Sequence, residues 1–374
     1  MKIKPFALER YFAKHEFSSP YLLSCSDAEP LALKELLDMA DKETHALWEN
    51  LSLGYTDSQG HPLLLQEIAK LYEGGITPQH IVEIVPEEGI FIAMNVLLEP
   101  EDHVITTFPG YQSLFEIAAS IGCQISKWQP DFTCGLRFSV NELKRLVREN
   151  TKLIVINFPH NPTGALPSRA ELQEIVALAK ENNIHIFSDE MYRFTELTTT
   201  DRLPSVCELT PNGISLFGLS KSFSLPGLRV GWLVSHDLAR IESIKSYKDY
   251  TTICGSAPSE VLAIIALRAK ETILARNHSI ITHNLEALDE FFEDHSDIFT
   301  WHKPRGGTVG FPELLLDIPV DQFCKQLLEK KGVMLLSASV IGCQRNHFRV
   351  GFGRRDLPEV LEKLSEFLNE KGYL

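Results

Sequence analysis

The stretch that decides the fold reads Ser220-Lys221-Ser222-Phe223-Ser224-Leu225-Pro226-Gly227-Leu228-Arg229-Val230-Gly231-Trp232. Its lysine follows an apolar run at residues 214–219, typical of a buried strand, and Arg229 precedes a second apolar run at residues 230–234. Lys221 is therefore expected at the end of a strand. Partial desolvation there favours the neutral amine, which can form an imine. Taken alone, such a residue is more commonly a solvated loop lysine.

Three further strings occur elsewhere in the chain, namely Asn161-Pro162-Thr163-Gly164, Asp189-Glu190-Met191-Tyr192 and Phe348-Arg349-Val350. Together with the Ser-Lys pair and Gly227-Leu228-Arg229-Val230-Gly231-Trp232, they resemble the motifs of pyridoxal-phosphate enzymes of the aspartate aminotransferase fold type. The resemblance extends from about residue 55 to residue 349. Any one string is common by chance, but four in the family's order and spacing are specific.

The resemblance implies an α/β protein of fold type I, with a large domain built on a mostly parallel sheet of seven strands and a smaller α/β C-terminal domain. Alternating strand and helix signals independently predict a parallel sheet wrapped by helices, with ligands at the carboxyl ends of its strands. We expect an N-terminal arm and helix at residues 1–50 packing with the small domain, a cofactor-binding domain at 51–255, and a bridging helix and small domain at 256–374.

The periodicity of apolar residues gives the boundaries of the expected elements. Strands are predicted at 81–85, 104–107, 125–128, 153–158, 184–188, 214–219 and 230–234. Helices are predicted at 31–50, 63–72, 89–98 with a first turn from Pro86, 111–121, 140–149, 168–182, 237–248, 259–293 and 357–371. Ser168 and Glu171 form an expected capping box.

Composition excludes several classes of protein. The formal net charge of −14 over 374 residues disfavours nucleic acid and anionic membrane surfaces as partners. Seven scattered cysteines without a CxxC pair favour reduced thiols in the cytoplasm, and neither cysteines nor histidines show the spacing of metal ligands, so no metal is expected. The N terminus lacks a secretion signal, and no apolar run is long enough to span a membrane.

A pyridoxal-phosphate site needs an amine, an acid against the pyridine nitrogen, phosphate anchors and a stacking face. The resemblance implies that Lys221 forms the Schiff base and removes the substrate's Cα proton, while Asp189 sustains the protonated ring nitrogen. Asn161 and Tyr192 are implied to donate hydrogen bonds to the phenolate oxygen of the cofactor. The alternatives are a capping role for Asp189, turn chemistry for Asn161 before proline, and a core aromatic for Tyr192.

The remaining cofactor contacts are also carried over residue by residue. Arg229 matches the phosphate arginine, Ser222 adds a hydroxyl, and backbone donors come from about Glu87 and Glu88 at a helix N-terminus. Tyr111 occupies the stacking position on the ring. Tyr55 resembles the tyrosine that reaches the phosphate of the neighbouring subunit, which implies a homodimer with active sites at its interface.

Arg349 resembles the arginine that grips the substrate's α-carboxylate, with a structural ion pair as the alternative. No position marks a second arginine for a side-chain carboxylate, although Arg10, Arg193 or Arg305 can play that part in such a fold. Analogy with relatives places Glu29 and residues 24–27 along the pocket.

Two departures from the family pattern concern the phosphate. Gly218 stands where the family often has a phosphate-binding serine, and residues 85–87 read Val-Pro-Glu where a Gly-Ala loop is usual. Acidic side chains beside a phosphate are unfavourable unless they point away. Phosphate binding is therefore the part of the resemblance that the sequence supports least.

The sequence favours an aminotransferase that moves an amino group between an amino acid and a 2-oxo acid. The first alternative is a β- or γ-eliminating lyase or a cyclase, because the same carbanion can expel a substituent instead of being reprotonated. The second is a cofactor-binding regulator or structural relative without turnover. A nicotinamide dehydrogenase is disfavoured, since no GxGxxG follows the early strands.

Overall fold

A seven-stranded sheet forms the centre of the large domain in the computed structural model, which describes residues 2–373. The strand order is β1-β7-β6-β5-β4-β2-β3, and β7 alone runs against its neighbours. The predicted mostly parallel α/β sheet is confirmed. Its strands are β1 (Ile81–Ile84), β2 (His103–Thr107), β3 (Gln124–Trp128), β4 (Thr151–Asn157), β5 (His185–Asp189), β6 (Gly213–Gly218) and β7 (Gly231–Val234).

Both faces of this sheet are buried, which explains why its strands read as continuous apolar runs rather than alternating ones. Leu153 and Val155 of β4 join the core on one face, while Ile154 and Ile156 join the core on the other. The flanking helices of this part of the chain are α4 (Pro62–Ala69), α5 (Pro86–Leu97), α6 (Ser113–Ile121), α7 (Val140–Leu146), α8 (Arg169–Glu181), α9 (Val206–Leu209) and α10 (Leu238–Lys248).

The C-terminal part has its own core, in which Phe323, Phe348 and Phe367 pack together. It contains a three-stranded antiparallel sheet in the order β11-β12-β9 and a pair of short strands, β10 and β8. Its elements are α11 (Ala257–Arg268), α12 (Lys270–Asp294), β8 (Phe299–Thr300), β9 (Val309–Gly310), β10 (Glu313–Leu314), α13 (Val320–Lys331), β11 (Leu336–Ser337), β12 (Phe348–Gly351) and α14 (Leu357–Glu370).

The N-terminal segment forms α1 (Ala7–His15), α2 (Leu33–Leu37) and α3 (Lys42–Glu49) and runs between the two parts of the chain. Residues 23–29 lie against β12 and its continuation, because Gly351 N–H donates to the Leu23 carbonyl and Glu29 N–H donates to the Gly353 carbonyl. A Cβ at Gly351 would lie 1.9 Å from the Cys25 carbonyl oxygen, so only glycine permits this approach.

Most predicted elements are confirmed within a few residues, including the capping box in which Ser168 N–H donates to Glu171 and Glu171 N–H donates to Ser168 Oγ. The predictions of two long helices are wrong. The helix predicted at 31–50 is divided between α2 and α3, because Asp41 caps a new helix through Thr44 N–H at 2.8 Å. The helix predicted at 259–293 is divided at Ala269, which leaves helical geometry with φ −87° and ψ 13°.

Helix α1 lies in the N-terminal arm, before residue 31, where the sequence predicts no helix. The predicted domain boundaries at residues 50 and 255 stay predictions. All seven cysteines are free thiols. Within residues 2–373, the helices include none with the length and apolarity of a membrane span, and the same residues contain no cluster of three or more side chains suited to a metal ion.

Gly218 is at the end of β6, where the backbone of β7 and the ring of Pro86 approach it closely. A Cβ at Gly218 would lie 2.9 Å from the Gly231 Cα and from the Val230 carbonyl oxygen, and 3.3 Å from Pro86 Cγ. A Cβ at Gly231 would in turn lie 2.8 Å from the same proline atom. The absence of a serine at position 218 therefore has a steric reason, and Pro86 and the two glycines form one packing unit.

We predict that Gly218→Ser lowers the free energy of unfolding by about 1–3 kcal/mol, because the new side chain meets backbone atoms that cannot move aside. Urea denaturation of the purified variant measures this change. Gly227→Ser is the matched control, since a Cβ there has no atom within 4 Å and should leave the midpoint unchanged. Equal midpoints for both variants would contradict the packing argument.

Candidate active site

The carboxyl ends of β4, β5 and β6 bring the motif residues to one edge of the sheet. Asp189 is the last residue of β5, and its Cα pairs with Asn157 on β4 and with Leu216 on β6. Lys221 follows β6 by three residues, and Asn161 follows β4 by four. Arg349 approaches from β12 of the small domain. Because β4, β5 and β6 are parallel, Asp189 and Lys221 lie at the same edge of the sheet, as the sequence predicts.

Ser26 connects Lys221 to the rest of the site. Lys221 Nζ donates to Ser26 Oγ at 2.8 Å, while the Ser26 carbonyl accepts the Tyr192 hydroxyl at 3.1 Å and the Thr308 hydroxyl at 2.8 Å. Residues 24–27 are predicted to lie along the pocket, but the sequence singles out neither Ser26 nor Thr308. Only the path of the N-terminal segment past β12 brings Ser26 here, and no local sequence pattern announces that path.

Asp189 is a buried carboxyl without a cation within 4 Å in the part of the chain that the structure describes. One oxygen accepts the Met191 N–H at 3.1 Å. Burial raises the pKa of Asp189 to about 7; the negative charge of Glu87 adds to this, and the Met191 hydrogen bond and Lys221 oppose it. A protonated ring nitrogen is the kind of partner that would hold this carboxyl ionised.

Arg349 is a buried guanidinium, 2% exposed, and lacks a carboxylate within 4 Å among the described residues. It donates to the Asn161 side-chain carbonyl at 3.2 Å and to the Ser24 carbonyl at 2.7 Å, and its Nε has no partner within residues 2–373. Desolvation lowers the pKa of Arg349. The alternative of a structural ion pair is thereby excluded for the described part of the chain.

Asn161 contributes its carbonyl oxygen to Arg349, which leaves the amide N–H groups for another acceptor. Its backbone N–H donates to the Asn157 side chain at 2.8 Å. Tyr192 is buried, and its hydroxyl donates to Ser26 rather than facing an open position. The structure therefore brings Asn161, Tyr192, Lys221 and Arg349 together, while their expected contacts with a cofactor stay predictions.

The predicted phosphate anchors lie in two segments, the turn between β6 and β7 and the first turn of α5. Arg229 is exposed and its guanidinium donates only to the Pro226 carbonyl, at 3.1 Å, among the described residues. Ser220 and Ser222 flank Lys221, and both hydroxyls are buried without a hydrogen-bond partner in residues 2–373. Buried hydroxyls without partners are uncommon and fit an acceptor that is supplied from outside the chain.

The two glutamates at the start of α5 have different orientations. Glu88 accepts from the Thr252 backbone N–H at 3.1 Å and from the Thr251 and Thr252 hydroxyls, so its carboxylate is turned toward the 251–252 loop. Glu87 accepts from the Ser113 hydroxyl. Burial raises the pKa of Glu87, with Ser113, Tyr111 and Arg229 opposing that shift and Glu9 adding to it. The Glu88 carboxylate therefore points away from the predicted phosphate position. The raised pKa of Glu87 favours its neutral, protonated form.

Tyr111 lies beside this turn, with its ring centroid 5.0 Å from that of Phe6 and its hydroxyl donating to Glu9 at 3.1 Å. Burial raises its pKa, so the hydroxyl remains a donor. Tyr55 is 91% exposed, so its side chain makes little contact with the other residues that the structure describes. Glu29 accepts from the Arg355 backbone N–H at 3.1 Å, so that side chain is directed toward residue 355.

The other candidate arginines have their own partners. Arg193 lies 3.8 Å from Glu208 and donates to the Leu71 carbonyl, and Arg305 pairs with Asp201 at 2.8 Å. Arg10 is exposed on α1. Within the described part of the chain, neither Arg193 nor Arg305 is therefore free to bind a substrate.

Comparison with known proteins agrees with this geometry. The family model described as aminotransferase class I and II matches residues 28–364. The chain is 29% identical over 369 residues to capreomycidine synthase of Streptomyces vinaceus, covering 96% of this chain and 91% of that protein. It is also 29% identical over 333 residues to aspartate aminotransferase of Thermotoga maritima, covering 85% and 84%.

Among solved structures, a pyridoxal-phosphate-dependent aminotransferase from Streptococcus suis 89-1591 is similar over 99% of both chains. The TM-score is 0.92 and the sequence identity is 32%. Family and structure together identify the cofactor as pyridoxal phosphate.

The residues present fit this cofactor. Pyridoxal phosphate carries a phosphate, a ring nitrogen that can be protonated and an aldehyde. Among the described residues, the site offers two buried hydroxyls without partners, a buried carboxyl without a cation and a lysine at the strand edge. When bound, the cofactor supplies an electron sink for the carbanion formed at the substrate's Cα.

We predict that Glu87→Gln binds pyridoxal phosphate more tightly than the wild type, because ionised Glu87 opposes the phosphate and glutamine does not. Since the pKa of Glu87 is raised, its carboxyl is neutral at low pH, and the advantage of the variant should grow to about tenfold as pH rises through that pKa. Fluorescence titration of the apoprotein across pH measures both dissociation constants. A ratio of the two constants that does not change with pH would contradict this role.

Proposed function

The chain belongs to the class I and II aminotransferases, and from that premise we propose that it transfers an amino group from an amino acid to a 2-oxo acid. The observation that carries the proposal is Arg349, a buried guanidinium without a carboxylate partner in the described chain, close to the site of Lys221. Burying an unpaired charge is expensive, so such a group is retained where a ligand supplies the opposite charge. The α-carboxylate common to all amino acids is a ligand of that kind.

We propose that Lys221 provides the amine that attaches the cofactor and afterwards takes the proton from the substrate's Cα at its Nζ. The hydrogen bond from Nζ to Ser26 Oγ fixes the direction of this side chain before any ligand arrives. Asp189 holds a proton at the ring nitrogen, and its raised pKa suits a proton shared between the two groups.

Arg349 orients the substrate through its α-carboxylate, and Asn161 orients Arg349 through its side-chain carbonyl. The amide nitrogen of Asn161 and the hydroxyl of Tyr192 are proposed to donate to the phenolate oxygen. For Tyr192 this requires its hydroxyl to turn away from the Ser26 carbonyl. Both donors would orient the ring relative to the substrate, and that orientation would select the bond to Cα that breaks.

Arg229, Ser222 and the backbone N–H groups of Glu87 and Glu88 are proposed to hold the phosphate, with Tyr111 on the ring face. The unpartnered Ser222 hydroxyl and the single carbonyl contact of Arg229 among the described residues support these roles. Pro86 itself has no N–H to donate, so the first turn of α5 offers its donors one residue later.

A second candidate is a lyase or cyclase acting on an amino acid. It is favoured by one observation, that the chain is as similar to a synthase as to an aminotransferase, at 29% identity in both cases. The residues that form the Cα carbanion are shared by both outcomes, so the difference depends on the substrate's leaving group and on where protons are delivered.

We predict that the wild type converts an amino acid and a 2-oxo acid into the complementary 2-oxo acid and amino acid in equal amounts, without ammonia. Lys221→Ala should lose at least about 10³-fold in kcat, because the proton transfer at Cα loses its base. Lys221→Arg, which keeps the positive charge but not the chemistry, should be equally inactive. Full transamination by Lys221→Ala would contradict the proposed role, and ammonia without an acceptor would favour the lyase.

We further propose a homodimer in which Tyr55 reaches the phosphate bound by the partner protomer. Leu53 and Tyr55 are 83% and 91% exposed, which is unusual for neighbouring apolar side chains. An apolar groove lined by Phe6, Val85 and Phe91 lies beside the start of α5, where a second protomer could place such side chains. The free cysteines are compatible with a cytoplasmic location, which we also propose.

A hybrid dimer tests this arrangement. Tyr55→Phe should weaken pyridoxal-phosphate binding about tenfold, because a hydrogen bond to a charged group is lost. In a tag-purified hybrid of Tyr55→Phe with Lys221→Ala, the one subunit that retains Lys221 receives Tyr55 from its partner and should recover wild-type affinity. A monomer in analytical ultracentrifugation, or a hybrid no better than Tyr55→Phe, would contradict the shared site.

A further inference from the structure

Helix α1 presents one face to the candidate active site. Glu9, Phe12 and Glu16 follow one another at intervals of three and four residues, which places them on the same side of a helix. Glu9 accepts the Tyr111 hydroxyl at 3.1 Å, and the Phe12 ring lies 5.7 Å from the guanidinium carbon of Arg349. Glu9 and Phe12 therefore border the space next to the proposed carboxylate site, and Glu16, the C-cap residue of α1, continues the same side of the helix. These three side chains are called the α1 face below.

Helix α1 is held in this position by hydrogen bonds to both the N-terminal half and the C-terminal half of the chain. The Ala7 backbone N–H donates to the Gln112 side chain at 2.9 Å, and Tyr11 donates to the Leu335 carbonyl at 2.7 Å. Leu8 is buried in a cluster with Phe108 and Leu336. The α1 face is thus a fixed wall of the site, and its charges bear on whatever binds there.

The two carboxylates of the α1 face have no ion-pair partner within 4 Å in the described part of the chain, whereas nearby Asp27 pairs with Arg354 at 2.9 Å. Glu16 is partly buried. Burial raises its pKa, the charges of Asp27 and Glu9 add to this, and Arg354 and Lys221 oppose it. Glu9 is exposed and accepts only the Tyr111 hydroxyl, so among the described residues no cation within 4 Å neutralises either carboxylate.

Arg349 is the independent sign that this space receives a ligand. It is 2% exposed, its Nε has no partner among residues 2–373, and its guanidinium is directed at Phe12 of the α1 face. A ligand whose carboxylate binds Arg349 therefore lies next to Phe12 of the α1 face.

Within residues 2–373, none of the three candidate arginines is placed to bind a side-chain carboxylate beside the α1 face. Arg193 and Arg305 are paired with Glu208 and Asp201, and Arg10, adjacent to Glu9 in sequence, points about 100° away around the helix. Like charges would repel such a substrate from Glu9 and Glu16. A cationic side chain instead meets the carboxylates of Glu9 and Glu16, which attract it, and the Phe12 ring between them, which excludes water.

We propose that the α1 face binds the side chain of a cationic substrate, so that the amino donor is an α-amino acid carrying a guanidinium or ammonium group. This inference rests on the proposed function and names the substrate class of the same site. It also distinguishes the chain from a relative that is an aspartate aminotransferase.

The test compares arginine with citrulline, which has nearly the same shape without the charge. The holoenzyme is assayed with each amino acid and with lysine, ornithine, methionine and glutamate, measuring kcat/KM for production of the 2-oxo acid. We expect arginine, lysine or ornithine to be the best substrate, and arginine to exceed citrulline by at least about tenfold.

Isosteric variants assign the preference to named carboxylates. Glu9→Gln and Glu16→Gln should each lower the arginine-to-citrulline ratio by about tenfold, because each removes one charge from the α1 face. Glu149→Gln makes the same charge change on an exposed residue before β4, at the opposite edge of the sheet, and should leave the ratio unchanged. Arg349→Lys should lower kcat/KM for arginine and citrulline by the same factor.

The outcomes separate this inference from the proposed function. Turnover of neutral or acidic amino acids with an arginine-to-citrulline ratio near one, or a ratio insensitive to both glutamine variants, overturns the cationic subsite and leaves the aminotransferase intact. Absence of 2-oxo acid from every amino acid, in a protein with bound cofactor, overturns the proposed function and with it this inference.

Discussion

The active site depends on two buried charged groups that lack counter-charges within residues 2–373. Asp189 and Arg349 are 6% and 2% exposed, and within the described chain neither has an oppositely charged group within 4 Å. Removing a charged group from water costs several kcal/mol unless an opposite charge or a set of hydrogen bonds replaces the solvent. The raised pKa of Asp189 and the lowered pKa of Arg349 are the signs of that cost. A cofactor with a protonated ring nitrogen would supply the counter-charge for Asp189, and a substrate carboxylate would supply the counter-charge for Arg349.

The fold supplies the means of holding these charges apart and in place. Asp189 is fixed by the parallel register of β5 between β4 and β6, and Arg349 by β12 in the small domain. The N-terminal segment passes between them, with the Ser24 carbonyl on Arg349 and Ser26 on Lys221 and Tyr192. Because the site is assembled from three separate parts of the chain, its geometry depends on their packing as much as on the motif residues.

The sequence predicts the sheet, its edge and the motif residues well, since continuous apolar runs and the strings around Lys221 and Asp189 are local signals. It does not predict Ser26, because a serine in an irregular segment has no pattern, nor α1, although Leu8, Tyr11, Phe12 and His15 have helical spacing. Asp41 is a residue type that favours helix N-caps, so the break before α3 has a sequence signal, although the long apolar stripe favours one continuous helix. Ala269 carries no such signal for the end of α11. The sequence shows that Gly218 and Pro86 depart from the family, but only their contact explains why.

The central claim is that Lys221 carries pyridoxal phosphate at this edge. The most direct measurement is the visible absorbance of the purified protein with added pyridoxal phosphate, before and after borohydride reduction, followed by identification of the modified peptide. We expect an imine band that disappears on reduction, with the label on Lys221. The absence of a band, or a label on another lysine, would contradict this claim. It would favour the alternative that the protein is a regulator or structural relative without turnover.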